Sequence, residues 1–406
     1  MALTPGRWKR VAAAAGLVND RGVLAPTIFA EMSALAGRTN SINLGQGAPD
    51  TDPPAEILQA AHAAIDAGIN QYPPGQGNPE LLRAVSAHQK RFYDLDVDPE
   101  AEVLVTTGAT EGIAASILAL ASPGDEVVIF EPFYDEYPAC IEMAGAVRRT
   151  VPLSTPDFSF DPEVLAAAFS EKTVAVIINN PHNPTGKVFT PAELQLIVDA
   201  ANRAGAWIIS DEVYEHLLFD GRIHTPVATL PGARNRTITI SSAGKTFSVT
   251  GWKIGWLHAP AEARAAIQAI KQFLTYVSGA PFQPAVARAL DFPQRIFDAE
   301  RDSLSARRDL LTRVLRDDIG LEVYEPQAGY FVNADVGAVT SDDALTFCRA
   351  LPELCGVVAV PVIALCTPGS AQYESMRTLV RFAFCKQVPV LEQAAARLQK
   401  LRVLAH

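Results

Sequence analysis

The sequence predicts an α/β protein, in which a largely parallel sheet lies between helices and a smaller α+β unit follows it. Short apolar segments alternate with helical segments between residues 51 and 281, as in proteins with parallel sheets. Residues 173–178 are almost continuously apolar, which is typical of a strand covered on both faces. Thr190 and Glu193 have the spacing of a capping box, with Pro191 at the first helical position, so a helix follows this strand.

The elements of the large unit follow in order along the chain. The first strand leads through Thr107-Gly108-Ala109-Thr110 into a helix rich in Ala, Ile and Leu, which begins at Glu111. The helix opened by the capping box ends near Gly205, because glycine commonly ends helices. The expected strands are residues 102–106, 125–130, 173–178, 206–210, 237–240 and 254–258.

A second, smaller unit is expected after Pro293. Residues 293–316 have the pattern of a long charged helix that connects the two units. From residue 321 to the end, the pattern is strand, strand, helix, strand, strand, helix. We therefore predict a large domain of residues 51–292 and a small domain made of residues 1–50 and 293–406.

Composition restricts the class of protein. The 406 residues are 49% apolar and 19% charged, the balance of a soluble globular protein with a large core. The formal net charge of −11 argues against non-specific nucleic-acid binding. The segments Gly45-Gln46-Gly47 and Gly75-Gln76-Gly77 lack the third glycine of a dinucleotide-binding fingerprint. No apolar run approaches membrane-spanning length, so we expect no membrane partner.

The N-terminus and the cysteines favour a cytoplasmic protein. Basic residues precede the apolar residues 11–18, but this alanine-rich stretch is short, and we expect a helical or loosely ordered arm rather than a secretory signal. The cysteines are odd in number and show no paired C-x-x-C spacing, so we expect buried free thiols in a reducing compartment. They are Cys140, Cys348, Cys355, Cys366 and Cys385.

The segment around Lys245 carries the most specific chemistry. Lys245 follows the β-branched strand of residues 237–240, and a second lysine, Lys253, lies eight positions further on. Desolvation at a strand end lowers the pKa of an amine and prepares it to attack a carbonyl. Ser242 and Lys253 are the kinds of residue that bind a phosphate. A Schiff-base lysine beside a phosphate site is what a pyridoxal phosphate enzyme requires.

Polar residues follow other strands at the same edge of the predicted sheet, where ligands of open α/β sheets bind. The segment Thr107-Gly108-Ala109-Thr110 either holds a phosphate at the helix N-terminus or is an ordinary helix cap. Tyr134 either stacks on a planar cofactor ring or packs within the protein.

Three further residues have two interpretations each. Asn183 lies in a turn rich in Asn and Pro and also offers an amide donor at this edge. Asp211 either caps a helix or pairs with a protonated pyridine nitrogen. Arg381 lies inside an apolar strand, where it either binds a substrate carboxylate or forms a structural ion pair.

Together these segments resemble the class I/II (fold type I) pyridoxal-phosphate-dependent aminotransferases over nearly the whole chain, from residues 43–47 to residues 381–386. Within that family, the sequence resembles the kynurenine/glutamine transaminase and cysteine-conjugate β-lyase subgroup. It also resembles the actinobacterial N-succinyldiaminopimelate aminotransferases, especially in residues 29–35, 70–75 and 279–284. The resemblance implies a large domain with a mostly parallel seven-stranded sheet and a homodimer with the active site at the subunit interface.

The resemblance also implies a role for each site residue. Lys245 would carry the cofactor pyridoxal 5′-phosphate as a Schiff base and move the proton during catalysis. Asp211 would pair with the pyridine nitrogen, and Tyr134 would stack on the ring. Asn183 and Tyr214 would hydrogen-bond the phenolic oxygen. The expected phosphate ligands are Gly108, Ala109, Thr110, Ser242, Lys253 and the neighbouring subunit's copy of Tyr72. The expected ligands of the substrate α-carboxylate are Gly47, Asn183 and Arg381.

The expected reaction moves an amino group from an L-amino acid to a 2-oxo acid with ping-pong kinetics. Residues 275–282 contain no arginine for a distal carboxylate, which argues against a dicarboxylate specificity. Position 253 is lysine where many relatives have arginine, which keeps the charge but loses the bidentate fork. The alternatives are β-elimination from cysteine conjugates at the same site and a non-catalytic ligand sensor with an aminotransferase-like domain.

Overall fold

The computed structural model describes residues 6–19 and 21–404. Within these residues the chain forms thirteen strands, most of which are short and buried. The strands are β1 (Ile42–Asn43), β2 (Val103–Thr107), β3 (Glu126–Glu131), β4 (Val147–Pro152), β5 (Thr173–Asn179), β6 (Trp207–Asp211), β7 (Thr237–Ser242), β8 (Ile254–His258), β9 (Glu322–Tyr324), β10 (Phe331–Asp335), β11 (Val357–Val358), β12 (Val360–Pro361) and β13 (Leu379–Ala383).

Fifteen α-helices lie within the same described residues. They are α1 (Arg7–Ala14), α2 (Ile28–Thr39), α3 (Ala55–Asp66), α4 (Pro79–Tyr93), α5 (Gly108–Leu120), α6 (Glu136–Ala144), α7 (Pro162–Ala167), α8 (Pro191–Ala204), α9 (Ala243–Thr246), α10 (Ala261–Lys271), α11 (Phe282–Leu290), α12 (Gln294–Arg313), α13 (Ala344–Cys355), α14 (Ala371–Ser375) and α15 (Val388–Leu398). The predicted capping box is present at the start of α8, where Thr190 and Glu193 hydrogen-bond each other's backbone N–H.

A seven-stranded sheet forms the centre of the large unit, with strand order β2-β8-β7-β6-β5-β3-β4. Neighbouring strands from β7 to β4 are parallel, whereas β8 is antiparallel to both β7 and β2. The predicted α/β class and mostly parallel sheet are confirmed. The carboxyl ends of β5, β6 and β7 therefore meet at one edge of the sheet.

The structure differs from the sequence-based expectations in several places. Helix α5 begins at Gly108 rather than at Glu111. Strand β4 was not expected, because an edge strand with exposed charged residues lacks a continuous apolar run. Strands β6 and β7 extend to Asp211 and Ser242, so these polar residues are part of the strands rather than of the following loops. In the C-terminal unit, the short helix α14 and one further strand are added to the predicted order.

The C-terminal unit contains a four-stranded antiparallel sheet, with strand order β12-β13-β10-β9. The charged helix predicted after Pro293 is α12, which continues as a π-helix over Val314–Ile319. Strand β1 pairs with β11 of this unit, whereas α1 contacts α6 through an ion pair between Arg10 and Glu142 at 2.8 Å. The first fifty residues thus contact both units, and the division at residue 292 stays a prediction.

One buried apolar cluster connects the two units. It extends from Val176 on β5 to Val332 on β10 and Phe382 on β13. The five cysteines are buried and unpaired, as expected. Within the described residues, none of the helices has the length and hydropathy needed to cross a bilayer.

Candidate active site

A cavity of about 420 Å³ opens where the carboxyl ends of β5, β6 and β7 meet the N-terminus of α5. Parallel strands bring their polar terminal residues to this edge, as the sequence predicted. Twelve of the thirteen predicted site residues line the cavity: Gly47, Gly108, Ala109, Thr110, Tyr134, Asn183, Asp211, Tyr214, Ser242, Lys245, Lys253 and Arg381.

Asp211, the last residue of β6, is a buried carboxylate at the cavity wall. The hydroxyl of Tyr137 donates to its Oδ2 at 2.7 Å, and the backbone N–H of Val213 donates to its Oδ1 at 3.3 Å. Burial raises the pKa of Asp211 to about 6, although these two hydrogen bonds and the charge of Lys245 oppose the shift. An anion this poorly solvated favours a cation in the cavity.

Lys245 lies in the short helix α9, directly after β7. Its Nζ donates to the hydroxyl of Tyr330 at 2.8 Å and lies 5.5 Å from the centre of that ring. The hydroxyl of Tyr330 in turn donates to the carbonyl oxygen of Gly47 at 2.9 Å. Lys245 is only partly buried, so its amine is less desolvated than the sequence predicted, and the phenol of Tyr330 fixes its position.

The loop that begins α5 forms a cradle for an anion. Gly108 has φ +73°, and a Cβ at this position would lie 2.9 Å from Nζ of Lys253. A Cβ on Gly255 of β8 would lie 2.5 Å from the backbone carbon of Gly108, so only glycine allows this approach. The start of α5 offers free N–H groups to the cavity. The Thr110 hydroxyl and the Lys253 ammonium line the cavity beside them.

Arg381 is almost fully buried on β13 and reaches the cavity from the C-terminal unit. Its guanidinium donates to Oδ1 of Asn183 at 2.8 Å and to the carbonyl oxygen of Gly45 at 3.1 Å, and lies 3.8 Å from the ring centre of Phe331. Its Nε is buried without a partner, and burial lowers the pKa of the side chain to about 10. Because its hydrogen-bond partners are neutral, the geometry favours the carboxylate-binding interpretation over the structural ion pair.

The remaining predicted residues complete the cavity wall. The backbone N–H of Asn183 donates to Oδ1 of Asn179 at 2.6 Å, which fixes the turn after β5. The ring of Tyr214 lies edge-on to Tyr330, with 5.4 Å between ring centres. Burial raises the pKa of Tyr214 and of Tyr134, so both phenols are neutral hydrogen-bond donors at neutral pH.

Tyr72 is the exception among the predicted residues. It lies outside the cavity, its side chain is 79% exposed, and its ring packs edge-on against Tyr276 at 5.3 Å. Phe273, close to Tyr276 in the chain, is 88% exposed. The role predicted for Tyr72 at the site of a neighbouring subunit stays a prediction.

The structure adds residues that the sequence-based prediction missed. Tyr137 lies three positions after Tyr134, in the first turn of α6, and the strand-end segment that contains Tyr134 could have identified it. Tyr330 and Phe331 come from the start of β10 and carried no local signal, because packing between the two units brings them to Lys245 and Arg381. Glu136, at the start of α6, also lines the cavity.

Comparisons with known proteins agree with this geometry. The sequence profile of the family described as aminotransferase class I and II matches residues 39–398. A probable N-succinyldiaminopimelate aminotransferase of Mycobacterium tuberculosis is 52% identical over 384 residues, which cover 93% of this chain and 96% of that protein. Kynurenine–oxoglutarate transaminase 3 of Mus musculus is 39% identical over 394 residues, which cover 90% and 86%.

Solved structures extend the agreement to the fold. The structure of N-succinyldiaminopimelate aminotransferase from Mycobacterium tuberculosis superposes with a TM-score of 0.91 and 49% identity, and covers 98% of this chain and 100% of its own. The Escherichia coli methionine aminotransferase YbdL superposes with a TM-score of 0.88 at 36% identity, covering 93% and 97%. The chain belongs to the class I and II aminotransferase family and is an aminotransferase.

Proposed function

We propose that this aminotransferase uses pyridoxal 5′-phosphate to move an amino group from an L-amino acid to a 2-oxo acid. One observation carries the proposal: a carboxylate, a lysine amine and an anion cradle face the same cavity from the ends of three strands of one sheet. Asp211 supplies the carboxylate and Lys245 the amine. The loop at Gly108 supplies the cradle.

The chemistry of the cavity fits this cofactor. Asp211, with its raised pKa, gains a partner if a protonated ring nitrogen lies beside it. The cradle suits a phosphate, which would be held by Gly108, Ala109, Thr110, Ser242 and Lys253. Tyr134 would contact the ring face, and Asn183 and Tyr214 would hydrogen-bond the phenolic oxygen. Lys245 would hold the cofactor covalently.

When bound, the cofactor supplies an aldehyde and a ring that accepts electrons from the substrate. Lys245 would take the proton from the substrate Cα and return it to the cofactor carbon that carried the aldehyde, while the Tyr330 hydroxyl holds its amine in place. Asp211 would keep a ring nitrogen protonated by staying ionised beside it. Arg381 binds and orients the substrate α-carboxylate, and Gly47 leaves room for that group next to Phe331.

For the amino donor we propose an N-succinyldiaminopimelate-type or kynurenine/glutamine-type substrate. The support is similarity to the mycobacterial and mouse proteins that carry those names. Residues 275–282 contain no arginine. The end of the amino donor that is far from the α-carboxylate is therefore bound by a group other than a second arginine. Elimination from cysteine conjugates is the alternative outcome at the same site.

We also propose that the chain works as a cytoplasmic homodimer, with Tyr72 reaching the partner's phosphate site. The exposed aromatic side chains of Tyr72, Phe273 and Tyr276 support an interface at this face. Buried free thiols support a reducing compartment. Sedimentation of the full-length chain tests the first point: a monomer with full activity would contradict it.

A panel of amino donors, assayed with 2-oxoglutarate and other 2-oxo acids, tests the proposed reaction. We expect the bound aldehyde to become the amine with at least one donor of the two classes. If no donor converts it, the proposal fails, and pyruvate and ammonia formed without a 2-oxo acid would indicate elimination instead.

The Lys245→Ala variant tests the site. Loss of the positioned base lowers kcat by about 10²–10⁴-fold. Borohydride reduction attaches the cofactor to the wild-type chain, which mass spectrometry detects on the peptide that contains Lys245. The exposed Lys172→Ala variant is the control and retains both properties. Labelling of the Lys245→Ala variant would contradict the assignment.

A further inference from the structure

Glu136 is a cavity residue to which the proposed reaction assigns no role. It is the first residue of α6, two positions after Tyr134. Its Oε1 is shielded from solvent, yet it has no hydrogen-bond partner in the protein. A buried oxygen without a partner is costly, so its retention beside a ligand cavity suggests a partner that arrives with the ligand.

The groups around Glu136 belong to both ends of the proposed cofactor site. Asp211, at the ring-nitrogen end, opposes its ionisation, whereas the Thr110 hydroxyl and the Lys253 ammonium, at the phosphate end, favour it. The other titratable groups that face it come from its own helix and the preceding turn: Tyr134, Asp135, Tyr137 and Cys140.

In one buried site each of two carboxyl groups disfavours ionisation of the other, and the surroundings decide which of them holds the proton more tightly. Asp211 receives hydrogen bonds from Tyr137 and Val213, which stabilise its anion. Glu136 receives a side-chain hydrogen bond from Thr110, whereas its Oε1 receives none. Burial and the charge of Asp211 raise the pKa of Glu136 to about 8, above that of Asp211.

We propose that Glu136 is a positioning residue that stays protonated and donates a hydrogen bond from its carboxyl group toward the cofactor's phosphate end. Asp211 alone then carries the negative charge at the ring nitrogen, and the phosphate meets a neutral acid rather than an anion. This inference rests on the proposed use of pyridoxal phosphate.

The proposal has a consequence in alkaline solution. As pH rises through about 8, Glu136 ionises and its charge faces a phosphate dianion, so the cofactor binds more weakly. A single group that must be protonated for tight binding lowers the affinity about tenfold between pH 7 and pH 9 if its pKa is near 8. Glutamine keeps a donor at this position and cannot ionise.

The test measures the dissociation constant of pyridoxamine phosphate from the full-length chain at pH 7 and pH 9. This aminated form makes no covalent bond to Lys245, so imine chemistry does not affect the result. We expect affinity to fall about tenfold more in the wild-type chain than in Glu136→Gln. The exposed Glu163→Gln is the matched control and follows the wild type.

A second variant separates the charge from the hydrogen bond. Glu136→Ala also loses the pH-dependent weakening, and at pH 7 it binds several-fold more weakly than Glu136→Gln because it has no donor. Equal weakening between pH 7 and pH 9 in all four proteins would overturn the role of Glu136 and leave the proposed function intact. Failure of the wild-type chain to bind either form of the cofactor would overturn the proposed function itself.

Discussion

Asp211 and Glu212 are adjacent residues at the end of β6, yet their surroundings differ completely. Asp211 faces the cavity and has a raised pKa. Glu212 is equally buried but accepts hydrogen bonds from Ser210 Oγ at 2.7 Å, His224 Nε2 at 2.8 Å and the backbone N–H of Val227 at 3.1 Å. Protein groups satisfy the carboxylate of Glu212, whereas that of Asp211 retains room for a ligand.

A second group of buried polar residues, His88, Glu215 and His216, resembles Glu212 in that protein groups satisfy its hydrogen bonds. Nε2 of His88 and Nε2 of His216 are 2.7 Å apart, and Glu215 accepts from the hydroxyls of Tyr93 and Ser241. The ligand atoms of His88, Glu215 and His216 lie within 4.8 Å of one another, close enough for a metal ion. They are nevertheless used in hydrogen bonds to protein groups. Polar groups that lie close together therefore do not by themselves form a ligand site. A better indication of a ligand site is a polar group that borders a cavity and lacks a protein hydrogen-bond partner.

Asp211→Asn gives the largest expected effect on the cavity side. An amide carries no charge to balance the protonated ring nitrogen of the proposed cofactor, so kcat falls about 10²–10³-fold while the melting temperature changes little. Steady-state kinetics with the best amino donor and a thermal melt measure the two quantities. A kcat within a few-fold of wild type would contradict the proposed catalytic role of Asp211, which would then be a structural residue like Glu212.

Glu212→Ala has the opposite expected outcome. The variant leaves the Val227 N–H and His224 without an acceptor in a buried place, so the free energy of unfolding falls by about 1–3 kcal/mol. Urea denaturation at pH 7 measures the loss, and kcat of the folded fraction stays close to wild type. A kcat loss as large as that of Asp211→Asn would show that both faces of the strand act in catalysis.

Tyr330→Phe gives the smallest expected loss of kcat and tests whether the Tyr330 hydroxyl acts on the lysine amine or on the substrate. The change removes the hydroxyl that accepts from Lys245 and donates to Gly47, but keeps the ring against Tyr214. Loss of one hydrogen bond on the reacting amine lowers kcat about 2–10-fold. KM changes little, because Arg381 still binds the carboxylate. A rise in KM without a fall in kcat would assign Tyr330 to substrate binding.

Sequence alone predicted the cavity residues that follow the strands of the large sheet. Asp211 and Lys245 were identified because parallel strands place their carboxyl ends at one edge, which is a local and periodic property. Tyr330 and the ring contact between Phe331 and Arg381 could not be found in this way, since they depend on how the C-terminal unit packs against the sheet. Tyr72 remains untested, because its predicted partner is a second chain.

The sequence also could not predict which carboxyl groups of the cavity are protonated. Glu136 is an ordinary first-turn acidic residue in the sequence, where a negative charge is usually favoured. Only burial next to Asp211 reverses that preference. The two residues are 75 positions apart in the chain, so only the folded structure shows that they are neighbours.

The contact between Gly255 and the Gly108 loop has a consequence for how the chain tolerates substitutions. A Cβ at position 255 would lie within 2.9 Å of three backbone atoms, which cannot move aside as a side chain can. A library of random variants selected for function should therefore be depleted of every substitution at position 255, alanine included. Evolution can then exchange the side chains that line the cradle, such as Thr110 and Lys253, more freely than this glycine, which has no functional group.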